Sequence, residues 1–580
     1  MGGNDVIVRV AGAAGDGVQS AGQIIAKTFS RMGLHCSTYN YYQDIIRGGE
    51  SWYQIRASGN PVRSQGDGLD ILIALNRDGV ERHTNPDINE GGAAPLSANG
   101  VAIYDEKISI SRSQNCGCAP VPLSELAQKY SRNPLVRNTV AIGAAIASLQ
   151  IPFDTLAGVI RENFSSKGEV AEQNVNAARA GYDYFLKNYK PIDVSLKTSE
   201  RKKYLIQGGE AVGFGMVAGG LKFYVAYPMT PASSALHFLA SHSRKYGVAI
   251  KVPEDEISAI NMAIGANYAG ARAATGSSGG GFSLMVEAVG MAGEMEIPLV
   301  VYESQRAGPS TGLPTKTEQG DLNLVFGAGQ GDFLKIILAP RNVKECFTLS
   351  REAMNLAEYY QTPVFIVNDL YLAEKYETVD DFELGSFSID HGKRAQDGEE
   401  DYKRYLDTPD GISPRAIPGQ PGLMHNEDSD EHNEYGDVVS DAVTNPDDRV
   451  KMVNKRMRKF KTYIENMPPT PTYRLSDAEY AVILWGSTAG VVEEAIDILR
   501  EKGHRVGAIE INRVFPLNPD IGDLIKGRKK LIFVENNYSG QFERLFRSEF
   551  LVETFSVRKY DGEPFYPGAL ANSIEEIMKG

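Results

Sequence analysis

The chain has 580 residues, enough for three or four domains with apolar content for several cores. Its net charge of -14 argues against nucleic acid as the main partner and fits small-molecule chemistry. Four cysteines, Cys36, Cys116, Cys118 and Cys346, are too few and too scattered for a disulfide framework, and Cys116-Gly117-Cys118 leaves an iron-sulfur cluster short of ligands within this chain.

At the N-terminus, Met1 to Val10 carries Arg9 inside its apolar run, with no basic flank before it and no small-residue cleavage site. Gly2 invites a myristoylation reading, but Val6 stands where Ser or Thr is needed. No uninterrupted apolar run is long enough to span a bilayer, so a cytoplasmic protein without membrane contact is expected. The strand Val6–Val10 leads into Gly12-Ala13-Ala14-Gly15-Asp16-Gly17 and a helical pattern from Val18 to Met32. A strand, a glycine turn and a helix make a phosphate-binding shape, because N–H groups at the helix start can face an anion. The spacing is not the dinucleotide fingerprint, however, and a tight turn needs glycines regardless of ligand, so a nicotinamide dehydrogenase is disfavoured. An apolar strand follows at Ile71 to Leu75.

The next part, from about Lys203 to Glu374, carries the chemistry. An apolar strand, Phe223 to Ala226, ends in Tyr227-Pro228-Met229-Thr230-Pro231-Ala232-Ser233-Ser234. Prolines on either side of Met229-Thr230 stiffen the turn and present the Thr230 hydroxyl. Glu254, Asp255 and Glu256 then open a run with apolar residues at Ile257, Ile260 and Ile264, which predicts a buried helix. Acidic residues in a first turn also suit the helix dipole. Thr275-Gly276-Ser277-Ser278-Gly279-Gly280-Gly281-Phe282 lacks the Lys of a nucleoside triphosphate loop. Ser278 meets the spacing of a hydrolase elbow, but no apolar strand leads into it and a run so rich in Ser and Gly matches by chance. Arg306-Ala307-Gly308-Pro309-Ser310-Thr311-Gly312-Leu313-Pro314-Thr315 places an arginine before a loop too rich in Gly and Pro for a helix or strand, which suits a planar fork meant for a carboxylate.

From Asp380 to about Pro471 the composition turns polar, with a Pro- and Gly-rich stretch and the charge run Glu427 to His432. This reads as a linker wrapped on the surface. His425 and His432 lack further ligands at helical or hairpin spacing, so a solvated turn is expected rather than a metal site. Lys451 to Lys461 reads as an exposed helix open to a partner, and Arg415 as an exposed loop residue. The last part alternates the strands Tyr480–Trp485, Val506–Ile511 and Leu531–Val534 with helical segments, the signature of right-handed crossovers in a parallel sheet. Glu535-Asn536-Asn537-Tyr538-Ser539-Gly540-Gln541 follows as a strand-end turn with a structural role.

The Tyr227 and Arg306 runs, in this order, resemble the Tyr-Pro-Ile-Thr-Pro and Arg-x-Gly-Pro-Ser-Thr-Gly-x-Pro-Thr signatures of the alpha subunit of 2-oxoacid:ferredoxin oxidoreductases, in the version with a gamma region fused at its N-terminus. The resemblance extends along nearly the whole chain. Met229 departs from the family's aliphatic residue, a volume-conserving change expected to be harmless. The Glu535 to Gln541 turn is similar to the Glu-Asn-x-x-x-Gly-Gln turn of the family's second domain. The resemblance implies an α/β chain of three α/β domains: a gamma-type Rossmann-like domain (1–195, with Arg47-Gly48-Gly49), a thiamine diphosphate pyrimidine-binding domain (203–375) and a transketolase C-terminal-like domain (473–580). A linker or surface segment (376–472) joins the last two.

Site roles follow from the resemblance, residue by residue. Counting back from Gly265-Ala266, Glu256 rather than Glu254 matches the glutamate that shares a proton with the aminopyrimidine ring of thiamine diphosphate. Tyr227, Pro228, Ser278 and Gly279 would lie near that cofactor. Arg306 would hold a carboxylate of the substrate, with Thr230 and Thr311 bonding its oxygens. The implied reaction is coenzyme A-dependent oxidative decarboxylation of 2-oxoglutarate to succinyl-CoA with electrons passed to ferredoxin, or its reverse as a carboxylase. Pyruvate, branched-chain 2-oxoacids and a non-catalytic assembly or regulatory role stay open, as does any coenzyme A contact by the gamma-type domain. The magnesium and diphosphate clamp needs Gly-Asp-Gly at a strand end and an Asn some way on. Gly15-Asp16-Gly17 lacks the Asn, and Gly66-Asp67-Gly68, though followed by Asn99, precedes a strand instead of ending one. The resemblance implies that clamp and [4Fe-4S] cluster belong to a separate beta subunit, in an (alpha-beta)2 heterotetramer.

Overall fold

The computed structural model describes residues 4–45, 48–85, 94–110, 117–439 and 445–580. Gly2, Arg47 and Cys116 of the sequence analysis lie outside the described residues. The chain forms two compact units: 1–207 with 375–381 and 566–569, and 208–374 with 382–565 and 570–580.

The first unit is built on an eight-stranded mixed sheet. Its strands run 117–121, 101–105, 71–74, 5–14, 48–58, 35–41, 376–379 and 204–207 across the sheet. The first four are parallel and the rest pair antiparallel. Asp5–Ala14 sits in the middle with both faces covered, which explains its near-continuous apolar run. The exception is Arg9, fully buried and held by Gln54 Oε1 at 3.0 and 2.6 Å, His83 Nδ1 at 3.0 Å and the face of Trp52 at 4.6 Å. The helix expected after the glycine turn is present as Val18–Arg31, with Ala21, Ile25 and Phe29 on its buried face. Gly17 adopts φ +80 at its start, and the Asp16 carboxylate accepts the Ala13 N–H at 2.9 Å. The turn thus satisfies itself with its own anion. Gly66-Asp67-Gly68 precedes the Ile71–Ala74 strand.

The second unit holds two sheets over one shared core, in which Phe365 and Val367 of the larger sheet join Trp485 and Phe533 of the smaller. The larger has seven strands in the order 513–515, 336–338, 363–369, 299–305, 273–277, 223–225 and 249–251, parallel except for the 513–515 edge. The smaller orders 472–473, 506–511, 480–485, 530–535 and 555–558, with 472–473 antiparallel. Among the described residues no helix is long and apolar enough to cross a membrane.

The segment expected to be a surface linker is instead packed into this unit by buried charge. Helix Pro446–Glu465 buries Lys455, Arg456 and Lys459, and Arg415 is 2% exposed. The cause is Glu296, fully buried ahead of the 299–305 strand. Lys455 and Lys459 reach it at 2.6 and 2.5 Å, while Arg404 bonds its carbonyl at 2.9 Å. Burial opposes charge on Glu296, but Lys455, Lys459 and Arg404 outweigh it and hold the carboxyl well below the usual range. Nor is the histidine turn solvated. His432 is buried against the Tyr405 ring with centroids 3.7 Å apart. It shares a cluster with Glu294 and Glu431, whose carboxylates are both taken by the Arg456 guanidinium at 2.8 and 3.0 Å. His425, also buried, lies 3.5 Å from Glu427.

Candidate active site

Three neighbouring parallel strands, 223–225, 273–277 and 299–305, end on the same edge of the seven-stranded sheet, and each releases one of the motifs singled out in the sequence. This carboxyl edge is where open α/β sheets bind ligands. Beyond Val225 the chain turns through Tyr227 and Pro228, both exposed, to a half-buried Thr230, then enters helix Ser233–Tyr246. The Thr230-Pro231 and Gly308-Pro309 peptides are cis.

Glu256 is the first residue of helix Glu256–Tyr268, which Asp255 caps by accepting the Ser258 N–H at 2.7 Å. With Asp255 as cap, Glu256 turns inward and is buried, while Glu254 is exposed. Ser277 Oγ donates to Glu256 Oε1 at 3.2 Å and lies 3.8 Å from Met229 Sδ. Gly281 makes room for this carboxyl: a Cβ there would stand 2.1 Å from Glu256 Oε1. The helix itself is not buried as expected. Ile260 and Ile264 are, but Ile257 is 50% exposed, and Val252, Met262 and Leu284 also face outward.

Arg306 Nη1 donates to the Thr230 carbonyl at 3.0 Å, so the two signature runs meet. The loop after Arg306 closes on itself. Leu313 N–H donates to Ala307 O at 2.9 Å, and Ala307 N–H to Lys316 O at 3.1 Å. Gly312 at φ +53 lies where a Cβ would be 2.0 Å from Ala307 O, so only glycine fits that closure. Thr311 sits at the exposed tip of this loop, not in the buried part of the site. Ser278 begins the short helix Gly279–Phe282; its buried Oγ meets no hydrogen-bonding partner, and so no base, among the described residues. Gly279 is half-buried, and a Cβ on it would stand 2.6 Å from the Asp321 carboxylate.

Two further features shape the site, the first unforeseen in the sequence and the second at a turn expected there in a structural role. Glu303 is fully buried beside the half-buried Asp321: burial and then the Asp321 charge push Glu303 well above the usual carboxylate range, and desolvation raises Asp321 to about 6. Glu303 follows an unbroken apolar strand, and an acid there was the available signal. The second is the joint made by the Glu535 to Gln541 turn. Gln319 exchanges bonds with Asn536 at 2.7 and 2.9 Å, Asn537 Nδ2 donates to Gln319 O at 3.0 Å, and Gln541 Nε2 to Gly320 O at 2.6 Å. Lys316 pairs with Glu563 at 2.6 Å. The smaller sheet therefore anchors the stretch that closes the Arg306 loop.

Comparison with known proteins agrees in chain order. Family models match as "Pyruvate ferredoxin/flavodoxin oxidoreductase" over 7–184, "Pyruvate flavodoxin/ferredoxin oxidoreductase, thiamine diP-bdg" over 214–454 and "Pyruvate:ferredoxin oxidoreductase core domain II" over 478–551. A 2-oxoacid:ferredoxin oxidoreductase subunit alpha of Sulfolobus sp is 32% identical, over 98% of this chain and 96% of that one. The 2-oxoglutarate oxidoreductase subunit KorA of Mycobacterium tuberculosis is 30% identical, over 99% and 92%. A solved structure, 2-oxoglutarate:ferredoxin oxidoreductase from Magnetococcus marinus with 2-oxoglutarate, coenzyme A and succinyl-CoA bound, is 33% identical with a TM-score of 0.91 over 99% of each chain.

Proposed function

The chain belongs to the 2-oxoacid:ferredoxin oxidoreductase alpha-subunit family, and from that premise we propose that it supplies the oxoacid-binding half of a coenzyme A-dependent decarboxylating enzyme whose preferred substrate is 2-oxoglutarate. The observation that carries this reading is the bond from Arg306 Nη1 to the Thr230 carbonyl, which draws a guanidinium fork to the Met229-Thr230 turn beside Glu256. A fork held there can take a carboxylate through its remaining N–H groups, with the Thr230 hydroxyl next to it.

The residues present fit one end of thiamine diphosphate. Glu256 is a buried carboxyl whose orientation is set by Ser277, with a glycine opposite, and the Ser278 Oγ is buried without a partner. A buried acid at that point would hold a proton for a ring nitrogen, with Tyr227, Pro228 and the Ser278-Gly279 backbone around it. Bound there, the cofactor would supply the electron sink that loss of carbon dioxide requires. Arg306 and Thr230 orient the oxoacid, and Thr311 would reach it from the loop tip.

The other half of the site belongs to a beta subunit carrying the magnesium and diphosphate clamp and the [4Fe-4S] cluster, in an (alpha-beta)2 heterotetramer that reduces ferredoxin. The exposed apolar residues around the site, Tyr227, Val252, Ile257, Met262, Leu284 and Leu313, support this, since a rim of this kind marks a protein interface. The test is Glu256→Gln in the reconstituted complex. Turnover should fall by about 100-fold or more with assembly intact; unchanged turnover would leave the chain as an assembly or regulatory subunit.

A further inference from the structure

Glu303 and Asp321 form a carboxyl pair for which the oxoacid reading above gives no role. Glu303 leaves the 299–305 strand in register with Ser277, at 0% exposure. Neither of its oxygens, nor Asp321 Oδ2, meets an N–H or O–H donor among the described residues. What faces Glu303 is the Asp321 carboxyl itself. Glu303, fully buried with no described donor on either oxygen, cannot stay ionised beside the Asp321 carboxylate, so it keeps a proton that it can share with the half-buried Asp321.

Asp321 is held in place on three sides. Its N–H donates to Gln305 Oε1 at 2.9 Å, Gly279 packs against its carboxylate, and the preceding Gly320 carbonyl is fixed by Gln541. Among the described residues, Arg306 is the one cation acting on the pair, within Coulombic reach of Asp321. Glu318, on the same segment, is the remaining acid; burial and then Asp321 raise it to about 7. The short helix Gly279–Phe282 and helix Leu322–Phe326 bring no ionisable side chain, and Val367 is the strand neighbour of Glu303 on its other side.

We propose that Asp321, sharing a proton with Glu303, is a positioning residue that acts through Arg306: its charge state sets how much of the guanidinium's attraction is left for the carboxylate of the oxoacid. When Asp321 is protonated, Arg306 acts on the substrate with its full charge. When it is ionised, the substrate competes with a fixed anion, and affinity falls as pH rises.

The proposal rests on the oxoacid reading, and the experiment separates the two. In the reconstituted complex, KM and kcat for 2-oxoglutarate are measured from about pH 5 to about pH 7.5, a window bracketing the Asp321 value of about 6. Wild-type KM should rise about tenfold across it with kcat little changed. Asp321→Asn should hold KM low and flatten that rise. Glu303→Gln, which donates to Asp321 as the protonated Glu303 does, should leave the rise in place, as should Glu318→Gln. An Asp321→Asn profile parallel to wild type, or a Glu303→Gln profile that loses the rise, would overturn the proposal. The oxoacid reading itself fails only if the wild-type complex turns over no 2-oxoacid or if Arg306→Met leaves KM unchanged.

Discussion

One strand, Leu299–Gln305, has a buried glutamate near each end, and the two are treated in opposite ways. Glu296, before the strand begins, is met by Lys455, Lys459 and Arg404. Glu303, near the strand's carboxyl end, is met by another acid and, among the described residues, by no donor. A buried charge costs several kcal/mol unless it is paired, so the first arrangement pins a segment in place and the second holds a group against its preference. The difference follows the sheet: its amino edge is packed for cohesion, and its carboxyl edge keeps an acid that stability alone would discard.

The contrast can be broken at either end. At the paired end, Lys455→Met leaves Glu296 short of a cation at a fully buried site and should cost about 3–5 kcal/mol, read as a lowered melting temperature of the full chain. At the unpaired end the effect has the opposite sign. Because the folded state raises the Glu303 value above its ordinary 4.5, the folded protein holds an extra proton, and its stability declines as pH rises from there towards the raised value. Glu303→Gln removes that decline. Its advantage over wild type should be near zero at about pH 4.5 and grow by about 1.4 kcal/mol per pH unit above it. A constant offset at all pH values would mean that Glu303 does not carry the proton.

Lys316 and Glu563 stand between these extremes, one base and one acid, largely buried beside the substrate loop. Lys316→Met should raise KM for the oxoacid by roughly fivefold with kcat within about twofold, a loss of about 1 kcal/mol in loop positioning. Equal effects on both constants would place the pair in the reacting site rather than behind it.

Local features were legible in the sequence where one short stretch decides them. Tyr480–Trp485 and Val506–Ile511 have the bounds their apolar runs imply, and Asp255 as a cap explains why Glu256 rather than Glu254 turns inward. Long-range electrostatics were not legible. The polarity of the stretch from Asp380 to about Pro471 reads as solvent exposure, yet Lys455 meets a glutamate that lies far back in the chain, and no local pattern announces such a pair. Ile257 fails the other way: an apolar residue at helical spacing reads as core, but here the helix face is open, as the rim of a subunit interface would be. Thr311 was placed with Arg306 by the family resemblance, and the closed loop holds it at the exposed tip.

The most direct test of the central claim is an assay of the chain, co-expressed anaerobically with a beta subunit, for coenzyme A-dependent reduction of a viologen dye across a panel of 2-oxoacids, in wild type and Arg306→Met. Strong reduction with 2-oxoglutarate, little with pyruvate, and a KM for 2-oxoglutarate raised about 10-fold or more by the substitution is the predicted result. No reduction with any 2-oxoacid, in a complex shown to hold its cluster and thiamine diphosphate, would contradict it.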